Sequence, residues 1–349
     1  MAKVAFAVPG DLSAATGGYA YAREIIAGLA VQDIDVAHIA LPAGFPRPSA
    51  NDLAETERLL AHVSNGTPLL IDGLAFGAFP ADLAAALPQP LIALVHHPLA
   101  LESGLSVEDA QHFRETERLA LAAADRVIAA SPTTAAELTN AYDVSADRIT
   151  VAEPGTHPRQ RSLGSGSETV QLLSVGAISE RKGFDVLVTA LAASPKRNWH
   201  LTIAGDTERN ADTTAAIASK ITAHDLDNNV TMTGRVSDEE LAALYRSSDV
   251  FVLASRYEGY GMVLAEAIAN GLPIVTTTGG AAAETVPDAA AIKVPPNAVE
   301  PLKDAILRLV ESSNERQARA DAAWNFAGEL PTWKQTCARI ASVIKEVSL

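Results

Sequence analysis

Ser255-Arg256-Tyr257-Glu258-Gly259-Tyr260-Gly261-Met262-Val263-Leu264-Ala265-Glu266-Ala267-Ile268-Ala269-Asn270-Gly271-Leu272-Pro273 decides how the chain is read. It follows residues 249–254, an apolar run rich in β-formers that reads as a buried strand. Gly259 and Gly261 flank one residue and allow a tight turn with positive φ, in which backbone N–H groups face a ligand. From Met262 the apolar residues recur at helical spacing, and the helix stops at Gly271 with Pro273 behind it. Glu258 then stands in the loop and Glu266 in the first helical turns. With the N–H groups of Gly259, Tyr260, Gly261, Met262 and Val263 around them, the two acids converge at the carboxyl end of a strand, where open α/β sheets bind ligands. Either glutamate alone is explained as well by a helix dipole or a solvated loop. The pair at this glycine spacing is not.

Glu258 and Glu266, with Glu258-Gly259-Tyr260-Gly261 at the start and Gly271-Leu272-Pro273 after them, resemble the E-x7-E signature of glycosyltransferase family 4. Tyr260 stands where members usually carry Phe, which leaves the backbone argument intact. The resemblance implies an α/β fold of two Rossmann-like domains facing across a cleft (GT-B), with a C-terminal helix crossing back to the N-terminal domain. It also implies retaining transfer of a sugar from a nucleotide-diphosphate donor.

The bulk composition agrees with that architecture. A chain of 349 residues, 48% hydrophobic and 20% charged, is long enough for two cores. The polar, Gly/Ser-rich stretch 159–168 reads as the linker. The expected division is therefore an acceptor domain over 1–160, a donor domain over 168–328 and a returning helix over 331–349. A net charge of −15 offers no basic surface for nucleic acid. Residues 1–150 hold 8 Lys and Arg against 18 Asp and Glu, which also speaks against a polybasic clamp on anionic lipid. The single cysteine, Cys337, excludes an intrachain disulfide and suits a reducing compartment. With a strand read already over residues 3–8 no signal segment is expected, and prolines interrupt the most apolar region, 73–101. The expectation is a cytoplasmic protein, with peripheral contact at the inner face of the membrane left open.

Along the first half, residues 3–8 form a strand, and Gly17-Gly18 lead into a helical pattern over 19–30. This is the opening of a Rossmann-like unit without the G-x-G-x-x-G fingerprint, and a lone glycine pair is as easily a plain turn. The resemblance places Gly17 and Gly18 over the donor diphosphate and the acceptor. A strand over 91–95 ends in His96-His97-Pro98, which puts a histidine at the ligand end of the sheet. An ordinary loop imidazole is the competing explanation. By resemblance His96 touches the donor sugar, with His97 as the alternative. The helix over 106–124 is expected to keep Arg114, Glu115, Glu117 and Arg118 in solvent.

The second half alternates again. A strand over 170–175 runs into Arg181-Lys182 at the mouth of a helix over 184–193, where two cations and helix N–H groups suit a diphosphate. A solvated basic pair is the plain alternative, and the resemblance favours the clamp. After the strand over 229–233 come Gly234-Arg235-Val236, and the resemblance makes Arg235 and Val236 neighbours of the nucleobase. Gly279-Gly280 follow a strand over 273–277 and are expected to bare N–H groups toward the ligand. Thr332-Trp333 begins the last helix.

The resulting constellation assigns Glu266 to a ribose diol, since a carboxylate accepts from two hydroxyls at once. Glu258 goes to the hexose, and Arg181 and Lys182 stabilise the leaving diphosphate. The donor is a UDP- or GDP-sugar acting as substrate, with no permanently bound cofactor. The resemblance implies as acceptor a membrane lipid such as a diacylglycerol, or a growing surface glycan. Asp33-Ile34-Asp35 and Asp225-Leu226-Asp227 have a metal-binding look but are read as solvated, Asp35 ahead of its strand and the second pair in a loop, so the transfer is expected to be metal-independent. A silent nucleotide-sugar-binding protein, a sugar-nucleotide epimerase and a phosphorylase are the alternatives. Residues that would serve the last two are not found.

Overall fold

The computed structural model describes residues 2–14, 16–194 and 198–348. It divides into two compact units, Met1–Gly155 with Pro331–Leu349, and Thr156–Leu330. Among the described residues each unit is built on one six-stranded sheet whose paired strands all run parallel.

In the first unit the strands are β1 (Ala2–Pro9), β2 (Ile34–Leu41), β3 (Leu69–Asp72), β4 (Leu91–Val95), β5 (Arg126–Ala129) and β6 (Ile149–Val151), in the order β2-β1-β3-β4-β5-β6. Strands β3 and β4 are buried along their whole length, as a parallel sheet covered on both faces requires. The order reverses between β1 and β3, so the carboxyl ends of these strands form a switch point where such sheets hold ligands. Helix Gly17–Ala30 follows β1. Helix Trp333–Val347 lies against it so closely that a Cβ on Gly28 would stand 2.3 Å from Cys337 Sγ. Thr332 opens that last helix with a reciprocal cap: its hydroxyl accepts from Gln335 N while its own N–H reaches Gln335 Oε1 at 2.8 Å.

The second unit holds β7 (Val170–Val175), β8 (Trp199–Ala204), β9 (Val230–Gly234), β10 (Val250–Leu253), β11 (Ile274–Thr277) and β12 (Ala291–Val294), in the order β12-β11-β10-β7-β8-β9. This is the doubly wound dinucleotide-type order, and its switch point lies between β7 and β10. All four residues of β10 are fully buried.

Several local expectations change. The linker stretch clusters with the second unit from Thr156 on. It is held there by Ser162 N donating to Asn270 O at 2.7 Å and by Ser165 N and Oγ bonding to the Asp249 carboxylate at 2.8 and 2.7 Å. Strand β12 was not expected; its alternation is short and weak, with two of four residues half-buried. Asp35 lies inside β2 rather than ahead of it, with its side chain exposed like those of Asp33, Asp225 and Asp227. Glu117 is the largest departure. It is 1% exposed, not solvated, because helix Val107–Ala123 turns it beneath the loop after β4. There its Oε2 accepts from Leu99 N at 2.9 Å, and burial pushes its carboxyl up to about 8 despite that bond.

Candidate functional site

The two loops at the switch point of the second sheet are built onto each other. After β7 the chain makes a short 3-10 turn, Glu180–Lys182, and passes through Gly183 into helix Phe184–Ala192. Gly183 has φ +64°, and a Cβ there would lie 2.1 Å from Ala254 O at the end of β10. Only glycine allows both the left-handed turn and that approach. The approach is fastened by Arg256 N donating to Arg181 O at 2.7 Å, and by the Arg256 guanidinium gripping the Asp185 carboxylate at 3.0 and 2.8 Å.

Both cations are thereby aimed at the same acid. Lys182 Nζ stands 2.7 Å from Glu258 Oε1, and Arg181 Nη1 stands 3.4 Å from Glu258 Oε2. Ser255 Oγ donates to Oε1 at 2.5 Å, and Arg181 Nη1 also donates to Tyr257 O at 2.8 Å. Burial alone would push the Glu258 carboxyl up. The charges of Lys182 and Arg181 and the hydrogen bonds from Lys182 and Ser255 outweigh it and hold the group down at about 2. The cluster is an ionised triad of net charge +1, a buried carboxylate between two half-buried cations, and Glu258 retains lone pairs for a further donor.

The glycines that follow behave differently from one another. Gly261 carries the left-handed conformation, φ +90°, as the residue before helix Met262–Ala269; Gly259 does not share it. The first N–H groups of that helix, on Met262 and Val263, have no acceptor within the helix by geometry. Tyr260 points inward, 6% exposed in the core with Leu264 and Phe251, so its ring is structural. Gly279 and Gly280 stand where the chain packs too closely for any side chain. Added Cβ atoms would meet Arg256 O at 2.2 Å and Glu258 O at 2.3 Å, and Glu258 N donates to Gly279 O at 3.1 Å.

Glu266 is the fifth residue of helix Met262–Ala269. Burial pushes its carboxyl up, while the hydroxyl of Tyr245 and the charges of Arg159 and His157 pull it down. Tyr245 Oη lies 2.9 Å from Glu266 Oε2. Arg235 is exposed and Val236 half-buried; they line a depression of about 480 Å³ with Thr233, Glu240, Ala243, Leu244 and Ser247.

In the first unit Gly17 and Gly18 are not loop residues but the first two of helix Gly17–Ala30. A Cβ on Gly18 would lie 3.6 Å from the His96 ring. His96 Nε2 is 3.1 Å from Asp72 Oδ2, and the edge of its ring meets Tyr21 at a centroid distance of 5.3 Å. His97 turns elsewhere, its Nε2 3.5 Å from Glu102 Oε2. Of the two histidines, His96 is therefore the one facing the glycine pair at the switch point of the first sheet.

Sequence reasoning missed four partners. Ser255 was read only as the start of the motif, Glu117 as solvated, and Asp72 was given no role. Tyr245 sits on an apolar helix face and carries no sequence signal that separates it from core. Among the described residues no three His, Cys, Asp or Glu side chains stand together as metal ligands, and no helix is long and apolar enough to cross a membrane.

Two sequence families cover most of the chain: that described as Glycosyltransferase Family 4 matches residues 15–160, and Glycosyl transferases group 1 matches 158–325. The chain belongs to glycosyltransferase family 4, and its two Rossmann-like units are those of the GT-B fold. It is 26% identical over 319 residues to an MMP alpha-(1->4)-mannosyltransferase from Mycolicibacterium hassiacum, covering 87% of this chain and 76% of that protein. It is 33% identical over 258 residues to a D-inositol 3-phosphate glycosyltransferase from an Arthrobacter species, covering 68% of this chain and 60% of that one. Among solved structures it is similar to sucrose-phosphate synthase from Thermosynechococcus elongatus, with a TM-score of 0.85, 19% identity and 99% of each chain covered. An Anabaena protein crystallised with UDP and glucose gives 0.78 at 17% identity, over 99% of this chain and 100% of that one. At such identities the solved structures speak for the fold alone.

Proposed function

We propose that the chain moves a hexosyl group from a nucleotide-diphosphate sugar to an acceptor hydroxyl with retention of anomeric configuration. The carrying observation is the Arg181–Lys182–Glu258 cluster at the switch point of the second sheet. Breaking the anomeric bond leaves charge on the departing diphosphate, and preorganised cations in a water-poor site stabilise it. Arg181 and Lys182 are such cations. Glu258, held between them, orders them in advance and offers its remaining lone pairs to hexose hydroxyls. Glu266 takes the ribose diol, and the depression beside Arg235 and Val236 takes the base. In the first unit His96, held by Asp72 near Gly18, is assigned a sugar contact by the family resemblance. Retention follows if the acceptor attacks on the face the diphosphate leaves, with the diphosphate oxygen taking its proton; no separate enzymic nucleophile is assigned.

The acceptor reading turns on residues 74–101. An apolar segment of this kind either lines an acyl groove or is ordinary core, and its large side chains, among them Phe76, Phe79, Leu91 and Val95, are buried in the core of the first unit. The names of the relatives, inositol 3-phosphate glycosyltransferase and mannosylfructose-phosphate synthase, point instead to small polyhydroxylated acceptors. A lipid or a surface glycan stays in the assay beside them. Incubation with UDP- and GDP-sugars, each with sugar phosphates, inositol phosphate, diacylglycerol and oligosaccharide, should release nucleoside diphosphate only with a matched pair. Binding of donor without release under every pairing would favour a silent binding protein.

A further inference from the structure

Tyr245 lies near the end of helix Asp238–Ser247, 3% exposed, with its ring stacked on Phe251 of β10 at 5.8 Å and an interplanar angle of 21°. That stacking leaves the phenol one direction to point. Its oxygen arrives 2.9 Å from Glu266 Oε2 and 3.3 Å from Val263 O. A phenol has a single proton to donate, and the shorter contact is to the acid. Core packing does not require that meeting. A phenylalanine would keep the stack, and the Val263 carbonyl by itself would satisfy the hydroxyl.

The consequence falls on Glu266. A glutamate has three side-chain torsions, and binding a diol through both oxygens freezes them all. With Oε2 already tied to Tyr245, the plane of the carboxylate is set before a ligand arrives, and lone pairs on both oxygens remain for two hydroxyls. The phenol also works against the burial that pushes the Glu266 carboxyl up, keeping it an acceptor.

We infer that Tyr245 is a positioning residue for nucleotide recognition, holding the Glu266 carboxylate in the plane that engages a ribose diol and so setting the preference for ribonucleotides. This rests on the proposed ribose role of Glu266, and the test separates the two.

Calorimetry of wild type, Tyr245→Phe and Glu266→Ala is carried out with UDP, 2′-deoxyUDP, GDP and 2′-deoxyGDP, with melting curves to verify that each variant is folded. In the base series that binds, wild type should prefer the ribonucleotide, and Glu266→Ala should abolish the preference. Tyr245→Phe should raise the ribonucleotide Kd about three- to tenfold, leave the deoxynucleotide Kd unchanged, and raise donor KM more than it lowers kcat. Equal losses on ribo- and deoxynucleotide in Tyr245→Phe, or no loss, with Glu266→Ala behaving as stated, would overturn the role of Tyr245 and leave that of Glu266 standing. Full ribose preference in Glu266→Ala, or none in wild type, would overturn the ribose assignment and the inference with it.

Discussion

At the scale of single residues, the second unit holds two glutamates eight positions apart in one segment in opposite electrostatic settings. Glu258 is surrounded by cations and held at about 2; Glu266 is surrounded by packing and a phenol and pushed up. Replacing Glu258 with Gln removes the charge that orders Arg181 and Lys182 but leaves their affinity for phosphate. The expected result is a kcat about 100-fold lower or worse, with nucleotide Kd changed much less, by steady-state kinetics and calorimetry. Acid stability should report the same triad. A glutamate titrates at 4.5 by its ordinary value and this one at about 2 when folded. As pH falls the unfolded chain takes up the proton first, so the stabilisation is full above about 4.5, erodes below it and is gone below about 2. Glu117 has the opposite sign. Its folded carboxyl sits at about 8, so the unfolded chain is the form that loses its proton first as pH rises, and stability drains between about 4.5 and 8. Glu117→Gln should therefore gain melting temperature relative to wild type on going from pH 5 to pH 8. A constant difference across that range would contradict the buried, protonated carboxyl.

Elements explain why these residues meet. Strands β7 and β10 are adjacent in the sheet, and the turns after them are locked by Gly183 against Ala254 O and by Arg256 against Asp185. Gly183→Ala adds a Cβ where there is no room and where φ is +64°, a strain of about 1–3 kcal/mol before the clash is counted. The variant should melt earlier and lose most of its turnover, with Lys182 displaced from Glu258. Unchanged kinetics would mean that the two turns need not be joined. This is also the scale at which the sequence was most and least legible. Strand–glycine–helix transitions at 170–184 and 250–262 could be read because apolar runs, turn residues and caps alternate sharply there. Strand β12 could not, because four residues at the sheet's margin, two of them half-buried, leave no period to recognise. Glu117 was misjudged because a charge on a helix with several charged neighbours looks solvated, and only the fold turns it under the loop that follows His96 and His97. Tyr245 was invisible for the reverse reason: its ring obeys the apolar pattern, and only its oxygen has another use.

At the scale of the whole molecule, the chain is two sheets, each with its own switch point, and the first unit is completed by the last helix. Cys337 on that helix is fully buried against Gly28, and burial pushes its thiol up to about 11. A thiol reagent at pH 8 should therefore label the native protein only at the rate at which helix Trp333–Val347 detaches. Removing residues 331–349 should speed hydrogen exchange in helix Gly17–Ala30 while leaving β7 and β10 protected; loss of protection in both units would show that their stabilities are not separate. Family and fold were legible at this scale because Glu258, Glu266 and the glycines between them carry the family resemblance, and the alternation of strands and helices along the chain agrees with it. The limits of the units were less so, because residues 159–168 have a linker's composition yet are fastened by Asp249 and Asn270 to the second unit. The most direct test of the central claim is a crystal structure with UDP or GDP bound. Phosphate oxygens at about 3 Å from Lys182 Nζ and the Arg181 guanidinium, with the ribose hydroxyls on Glu266, are the expected result. A nucleotide seated away from Glu258 and Glu266 would contradict it.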